Sequence, residues 1–376
     1  MSNNIDWGKI YDSTNWGVGV NNDISWGITY RDLAGPATSD DFIITVKTDN
    51  AGTSGTDQFT IPTSTSGITT PFLYDIETSD GQSITGVTGN HTITFPSAGE
   101  YEVKISGSFP YMRFNNGGDR LKMLDIKNFG IYALGATSQD GAFNGCGNMT
   151  ITATDSGNFG NVTNFFAAWN TCSSLTSFPL IDTSSGTSFN QTWAGCSSLT
   201  SFPLIDTSSV TNFVGSWQFC SSLTLFPLID TGSGTDFFAA WNGCSSLTSF
   251  PLLDTSSGTS FDRAWQFCSI LTSFPLLDTS SGTNFYRAWR GCSSLASYPA
   301  NAFDTNIATN YSEAFQSTNI TTQSIDDILV SLDTSGVSNG TFTQSGGQAP
   351  SATGETAIDS LVGKGWTITV TGGYTP

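Results

Sequence analysis

The chain has 376 residues, only 11% of them charged, and its net charge of -19 reflects a scarcity of bases. No Lys or Arg occurs between Lys127 and Arg263. This argues against a nucleic-acid-binding protein, which needs a basic face to neutralise phosphates, and against binding to an anionic membrane surface. A chain of this length is expected to hold two or three domains.

The first residues show no targeting segment. Residues 1–6 lack the basic and apolar regions of a secretory signal, and no apolar run approaches the ~18 residues that a membrane span requires. The sequence therefore predicts a protein that is neither exported by a signal peptide nor inserted in a membrane.

Residues 1–34 are rich in aromatic side chains and contain three Trp-Gly pairs. A segment this short cannot bury so many aromatic rings by itself, and exposed apolar side chains mark interaction sites. We predict that the segment anchors the protein to other subunits or to a larger particle; a tail folded back on its own domain is the alternative. The predicted assembly residues are Trp7, Tyr11, Trp16, Trp26 and Tyr30.

Residues 38–110 alternate between apolar and polar positions in four short runs, 42–46, 58–61, 91–95 and 101–105. Gly, Pro and Asn turns separate the runs, a pattern typical of an immunoglobulin-like β-sandwich. Residues 89–107 resemble the last hairpin of PKD-like domains, which are modules of surface proteins. Residues 75–81 replace the usual W-G-D-G turn of that family. His91 opens a strand and is predicted to be structural.

A 24-residue unit then occurs six times in succession between residues 165 and 300. Each unit carries a Trp (Trp169, Trp193, Trp217, Trp241, Trp265, Trp289) and, three residues later, a Cys (Cys172, Cys196, Cys220, Cys244, Cys268, Cys292). A period of this length indicates stacked units that share one core. Phe165, Trp169 and Cys172 fall at i, i+4 and i+7, which predicts one face of a short helix.

The second half of the unit has the apolar spacing of a leucine-rich-repeat turn and strand, at Leu175, Phe178 and Leu180. The motif Cys-Ser-Ser-Leu-Thr-Ser-Phe, followed by Asp-Thr-Ser, resembles BspA-type leucine-rich repeats over about residues 141–311. That resemblance implies a surface-exposed adhesive or recognition protein and no catalysis. A Pro in every unit removes a ladder donor, so we expect a narrow sheet with short strands. Residues 111–320 are assigned to this solenoid, with atypical terminal units at Phe143 and Phe315.

The recurring polar and aromatic residues have competing interpretations. The Asp at each strand exit is predicted to fix a turn by accepting backbone hydrogen bonds; a row of catalytic carboxylates or a Ca²⁺ role is less favoured. The Trp column is predicted to be core, although rings that stack on sugars are the alternative. The seven cysteines are predicted to be free, buried thiols. With one His and no Cys-x-x-Cys, no metal, cofactor or catalytic site is predicted.

Side chains beside the predicted core positions are the candidates for contact with a ligand. Three follow the core Phe of their unit by one residue, and three follow the Trp by one residue. They are Phe166, Phe238 and Tyr286 in the first set and Gln218, Gln266 and Arg290 in the second.

Residues 321–376 are predicted to cap the array with two short helices and two strands. The helices are expected at 324–332, with Ser324 as N-cap and Asp327 at N3, and at 357–362. Extended segments are expected at 339–343 and 366–371. The sequences of residues 339–341, 346–351 and 365–373 resemble segments found at the C-terminal end of many phage tail and virion proteins.

Together these observations predict a mixed β/α fold: an N-terminal anchor segment, an immunoglobulin-like β-sandwich, a leucine-rich-repeat solenoid of 24-residue period and a C-terminal α/β cap. The predicted function is that of a non-enzymatic virion protein of a tailed phage, a fibre, spike or appendage subunit, made in the host cytoplasm. Its expected partners are other virion proteins, further copies of itself, and a host receptor or glycan. The alternatives are a bacterial cell-surface adhesin or scaffold and, third, a polysaccharide-degrading spike.

Overall fold

The computed structural model describes residues 40–376. The predicted anchor segment, residues 1–34, lies outside the described residues. So do the assembly residues assigned to it, namely Trp7, Tyr11, Trp16, Trp26 and Tyr30.

Six strands open the described chain: β1 (Phe42–Lys47), β2 (Gln58–Ile61), β3 (Leu73–Thr78), β4 (Ser83–Val87), β5 (His91–Thr94) and β6 (Glu100–Ser108). The predicted period-two strands are confirmed as β1, β2, β5 and β6, whereas the sequence pattern did not predict β3 and β4. Strand β3 shows the alternation clearly, because Tyr74, Ile76 and Thr78 are buried while the residues between them are exposed. The strands form two sheets, and β2 pairs only with β5.

The predicted hairpin in residues 89–107 is wrong. Strand β5 pairs antiparallel with β2, whereas β6 lies between β1 and β3 in the larger sheet. Alternation identifies which face of a strand is buried, but it does not select the neighbouring strand. The chain therefore passes from one sheet to the other at residues 95–99.

The larger sheet runs directly into the repeats. Strand β7 (Met123–Asn128) pairs antiparallel with β1 and parallel with β8 (Thr150–Ile151), which completes the strand order β4-β3-β6-β1-β7-β8. The β7 to β8 register joins Asp125 to Thr150 and Ile126 to Ile151. Backbone hydrogen bonds thus connect the first strands to the start of the repeating region without an intervening linker.

The fold class predicted from the sequence is wrong, because the repeats contain no helix and no leucine-rich-repeat solenoid is found. Among residues 40–376 the α-helices are α1 (Thr322–Thr334) and α2 (Ala352–Gly363), both after the repeats. The described chain is mostly sheet and turn. Single parallel bridges join equivalent positions of successive units, for example Asn164 to Ser188 and Ser188 to Asn212. We call residues 165–300, joined in this way, the repeat stack.

Consecutive turns take the place of the predicted helix. The N–H of Ala168 donates to the carbonyl of Phe165 (3.1 Å), and the N–H of Cys172 donates to that of Trp169 (3.2 Å). The third residue of each turn is left-handed, with φ of 50° at Ala167 and 57° at Thr171, as a type II turn requires. A right-handed helix cannot pass through such residues. Alternate N–H groups instead donate to carbonyls of the next unit.

The aromatic residues of the units form a continuous core, and the prediction that the Trp column is core is confirmed. All six Trp side chains are fully buried. Rings of successive Trp residues lie 5.4–6.0 Å apart and are nearly parallel. Phe178 and its equivalents pack edge-on against them, at 4.8 Å in the case of Trp169.

The C-terminal region is a parallel β-α-β-α-β arrangement. Strands β9 (Asn310–Gln316), β10 (Thr341–Ser345) and β11 (Thr367–Thr369) form a sheet of order β11-β10-β9, with α1 and α2 as the crossovers. Both predicted helices are confirmed, but the predicted cap of the first is wrong. Thr321 is the N-cap of α1 and accepts from the N–H of Ser324, while Ser351 caps α2.

Candidate recognition surface

The structure places the six predicted ligand-facing residues at different depths. Phe166 is 38% exposed, whereas Gln266 is only 5% exposed. The other four, Gln218, Phe238, Tyr286 and Arg290, are half-buried. Gln266 thus has little contact with solvent, and the candidates do not form one surface.

Two of them, Phe238 and Tyr286, meet around an arginine that was not predicted. The guanidinium of Arg263 lies 5.5 Å from the ring centre of Phe238 and 5.1 Å from that of Tyr286. A second guanidinium, that of Arg287, lies 4.6 Å from the Tyr286 ring. Cations over aromatic faces attract the ring quadrupole. We call Phe238, Arg263, Tyr286, Arg287 and Arg290 the arginine–aromatic patch.

Carboxylates pair with the cations of this patch. Glu313 accepts two hydrogen bonds from Arg287 (3.0 and 3.2 Å) and lies 2.8 Å from Arg290. These hydrogen bonds and charges lower the pKa of Glu313. Burial raises the pKa of Asp262, whose Oδ1 is 3.1 Å from Arg263, although the neighbouring arginines oppose that shift. The patch therefore presents aromatic faces and three guanidinium groups that are paired with two carboxylates.

A signal for the missed residues was present in the sequence. Arg263 and Arg287 lie 24 residues apart, at equivalent positions of adjacent units, and are the first bases after a long stretch without any. Both occupy left-handed turn positions, with φ of 56° and 57°. Their equivalents in the other units are uncharged: Ala167, Gln191, Gly215 and Ala239. Large cations at such positions mark these two units as different from the rest.

The leucine in each Phe-Pro-Leu segment lies on the outside, contrary to the predicted strand pattern. Leu180 is half-buried, and the next four equivalents are 50–63% exposed: Leu204, Leu228, Leu252 and Leu276. We call these four the leucine row. The following residue of each unit is buried instead, as Ile181 and Ile205 show at 1% exposure. The sequence alone could not show which of the two adjacent residues is buried, because both are apolar and either could face the core.

The recurring aspartates confirm the turn-fixing prediction. Asp182, Asp206, Asp254 and Asp278 each accept a hydrogen bond of 3.0–3.1 Å from the N–H two residues later, and Asp230 accepts one from Gly232. Hydrogen bonds from Ser256 lower the pKa of Asp254. Each carboxylate is therefore occupied by its own turn.

The seven cysteines are free and buried, as predicted. Each thiol from Cys172 onward donates to a backbone carbonyl of the preceding unit, as Cys196 does to Trp169 at 3.2 Å. Within residues 40–376, no group of three or more His, Cys, Asp or Glu side chains is placed to hold a metal ion. No helix of the same region is both long and apolar enough to cross a membrane.

The chain matches no protein-family model, no curated protein and no solved structure. The resemblance to BspA-type repeats and PKD-like modules therefore stays a prediction.

Proposed function

We propose that the chain is a non-enzymatic structural protein of a tailed-phage virion, a fibre, spike or appendage subunit that contacts the host surface. The observation that supports it best is the division of roles in the repeat stack. Trp and Cys form an inert column, fully buried in every unit, while Phe, Tyr, Arg and Leu side chains project from the outside. The repeat stack therefore displays these outer side chains at a fixed spacing from one unit to the next.

The arginine–aromatic patch is the part proposed to touch the host receptor or glycan. Aromatic faces stack on apolar faces of sugars and on apolar side chains, and guanidinium groups supply hydrogen-bond donors. Aromatic and Arg side chains also dominate binding energy in protein interfaces. Arg263 is held between two rings, so its donors are already oriented before binding.

Virion location is tested on particles purified by density gradient from a lysate. Peptides of this chain are expected at a fixed ratio to tail proteins, and antibody–gold labelling should fall on an appendage. A chain lacking residues 1–34 is expected to be made but not incorporated. If instead the chain is found in the surface fraction of uninfected cells and in no particle, the cell-surface adhesin alternative is correct.

Host contact is tested with Tyr286→Ala and Phe238→Ala, measured by binding of the purified protein to host cells. Each is expected to weaken binding at least about tenfold, as loss of an aromatic anchor does. Phe219→Ala is the matched control, because Phe219 is 53% exposed on another part of the unit. Equal binding by all three variants would contradict the role of the patch.

A further inference from the structure

The leucine row is an exposed apolar stripe for which the described chain supplies no cover. Its members lie 24 residues apart, and successive Trp rings in the same units are 5.4–6.0 Å apart. Leu225, three residues before Leu228, is also 60% exposed. The stripe is bounded, because Leu180 is half-buried at one end and Ala300 replaces the leucine at the other. Contiguous exposed apolar side chains of this kind mark interaction sites.

Acidic residues flank the row on one side only. In each unit the turn-fixing Asp follows the leucine by two residues, with a buried residue between them. The leucine and the Asp thus reach the surface on either side of that buried residue, and every unit from Leu204 to Asp278 repeats this arrangement. A row of carboxylates therefore runs parallel to the leucine row. Ser and Pro residues border the other side, with no Lys or Arg in the row segments.

From this geometry we propose that the leucine row is the contact between two copies of this chain, packed with their stacks parallel about a two-fold axis along the stack. A surface with the same axial repeat can contact every leucine of the row in the same way, and a second copy has that repeat by identity. The inference does not depend on the proposed virion location.

The position of the carboxylates determines the orientation of the pair. A two-fold axis along the stack places the Asp row of each copy against the Ser and Pro border of the other. An axis across the stack would make the copies antiparallel and would bring the two Asp rows face to face, where like charges repel. An apolar centre with a polar border is also the usual anatomy of a protein interface.

The test measures the mass of the full-length chain by analytical ultracentrifugation. The wild type is expected to be dimeric or a multiple of a dimer, and Leu228→Asp with Leu252→Asp is expected to halve the mass. Leu73→Asp is the matched control, since Leu73 is 60% exposed on β3, away from the row, and should leave the mass unchanged. A monomeric wild type, or a mass that the double variant does not change, would overturn the proposal.

Orientation is tested with a short bis-maleimide cross-linker, because the seven native thiols are buried and should not react. Leu204→Cys alone is expected to cross-link to itself in a parallel pair. An antiparallel pair would instead cross-link only when Leu204→Cys is mixed with Leu276→Cys. Cross-links found only in the mixture would refute the parallel arrangement. Circular dichroism of the Leu228→Asp, Leu252→Asp variant shows whether its monomer is folded. A folded monomer means that the variant has lost association and has not unfolded.

Discussion

Each Trp of the repeat stack combines a fully buried ring with a polar atom that has no partner in the described part of the chain. The side chain is fully buried between two neighbours, yet among residues 40–376 all six indole Nε1 atoms lack a hydrogen-bond partner. A buried donor left unpaired costs about 1–3 kcal/mol. The ends of the column carry Phe instead: Phe143 stacks on Trp169, and Phe315 stacks on Trp289 at 4.9 Å. The position therefore accepts a ring without the polar atom.

We expect Trp241→Ala to lower the free energy of unfolding by ~3–5 kcal/mol, since it leaves a cavity between Trp217 and Trp265. Trp241→Phe should cost much less, because the smaller ring still stacks and the unpaired donor disappears. Chemical denaturation of both variants, with fluorescence and circular dichroism together, measures the difference. A Trp241→Ala protein as stable as wild type would show that the column is not the core of the stack.

Substitution of two adjacent alanines by glycine tests whether the turns contain left-handed residues. Ala239 has φ of 53° and Ala240 does not lie in the left-handed region, while both are buried. Ala240→Gly should cost about 1–2 kcal/mol, through the lost methyl group and the added freedom of the unfolded chain. Ala239→Gly should have an effect near zero, because Gly also relieves left-handed strain of about 1–2 kcal/mol. Urea denaturation of the two variants makes the comparison. In a helix, the two substitutions would cost about the same.

At the scale of elements, two buried side chains of opposite charge, Asp119 and Lys122, hold the loop between β1 and β2. Asp119 accepts hydrogen bonds from the N–H groups of Ser54 and Thr60 at 3.0 and 2.7 Å. Lys122 donates to the carbonyl groups of Gly55 and Gln58 at 2.7 and 2.8 Å. Both side chains are 1% exposed. The pair thus fastens the loop to the segment that precedes β7.

Burial by itself would raise the pKa of Asp119, but hydrogen bonds from Ser54 and Thr60 and the charge of Lys122 outweigh it and lower that pKa. A lowered pKa stabilises the fold above the unfolded value of about 3.9, and this stability is lost as pH falls through the folded pKa. We expect Asp119→Asn to cost ~3–5 kcal/mol at neutral pH by leaving Lys122 without its counter-charge.

The measurement is urea denaturation at neutral pH and at a pH below the folded pKa of Asp119. The difference between wild type and Asp119→Asn should shrink at the lower pH. Asp49→Asn is the control, since Asp49 is exposed on the same loop. A variant whose deficit is the same at both pH values would show that the carboxylate charge is not the cause.

At the scale of the whole molecule, the cysteines report whether the core opens as one unit. Burial raises the pKa of each thiol, to about 12 for Cys196, Cys244 and Cys292. The thiolate is the reactive form, so buried neutral thiols resist alkylation. Because aromatic stacking runs without a break from Phe143 to Phe315, we expect units to expose their thiols together.

Alkylation at mildly alkaline pH, followed by mass spectrometry, is expected to give no label on the native protein. Seven labels should appear in denaturant without reductant, and they should appear together as denaturant increases. A species with five labels in full denaturant would indicate a disulfide. Labelling of one unit well before the others would instead show that the stack opens locally.

The sequence by itself determined which residues recur and which of them share the core. The 24-residue period identified the Trp and Cys columns, the free thiols and the turn-fixing Asp residues correctly. Each of these features depends on local spacing and on the transfer of apolar side chains out of water. Both can be read from the residue types and their positions in the chain. Strands β1, β2, β5 and β6 and both C-terminal helices follow from the same local signals.

Only the tertiary structure decided how the backbone is hydrogen-bonded. Four-residue spacing places Phe165 and Trp169 on one side both in a helix and in consecutive turns, and the N–H groups shared with the next unit select the turns. Sheet neighbours decided the partner of β5, and the packing of Ile205 and its equivalents against the core turned the adjacent leucines of the leucine row outward. The arginine–aromatic patch likewise exists because stacking brings Arg263 within contact distance of Phe238 and Tyr286, which lie in the two neighbouring units. These choices depend on contacts between distant residues, which local spacing does not encode.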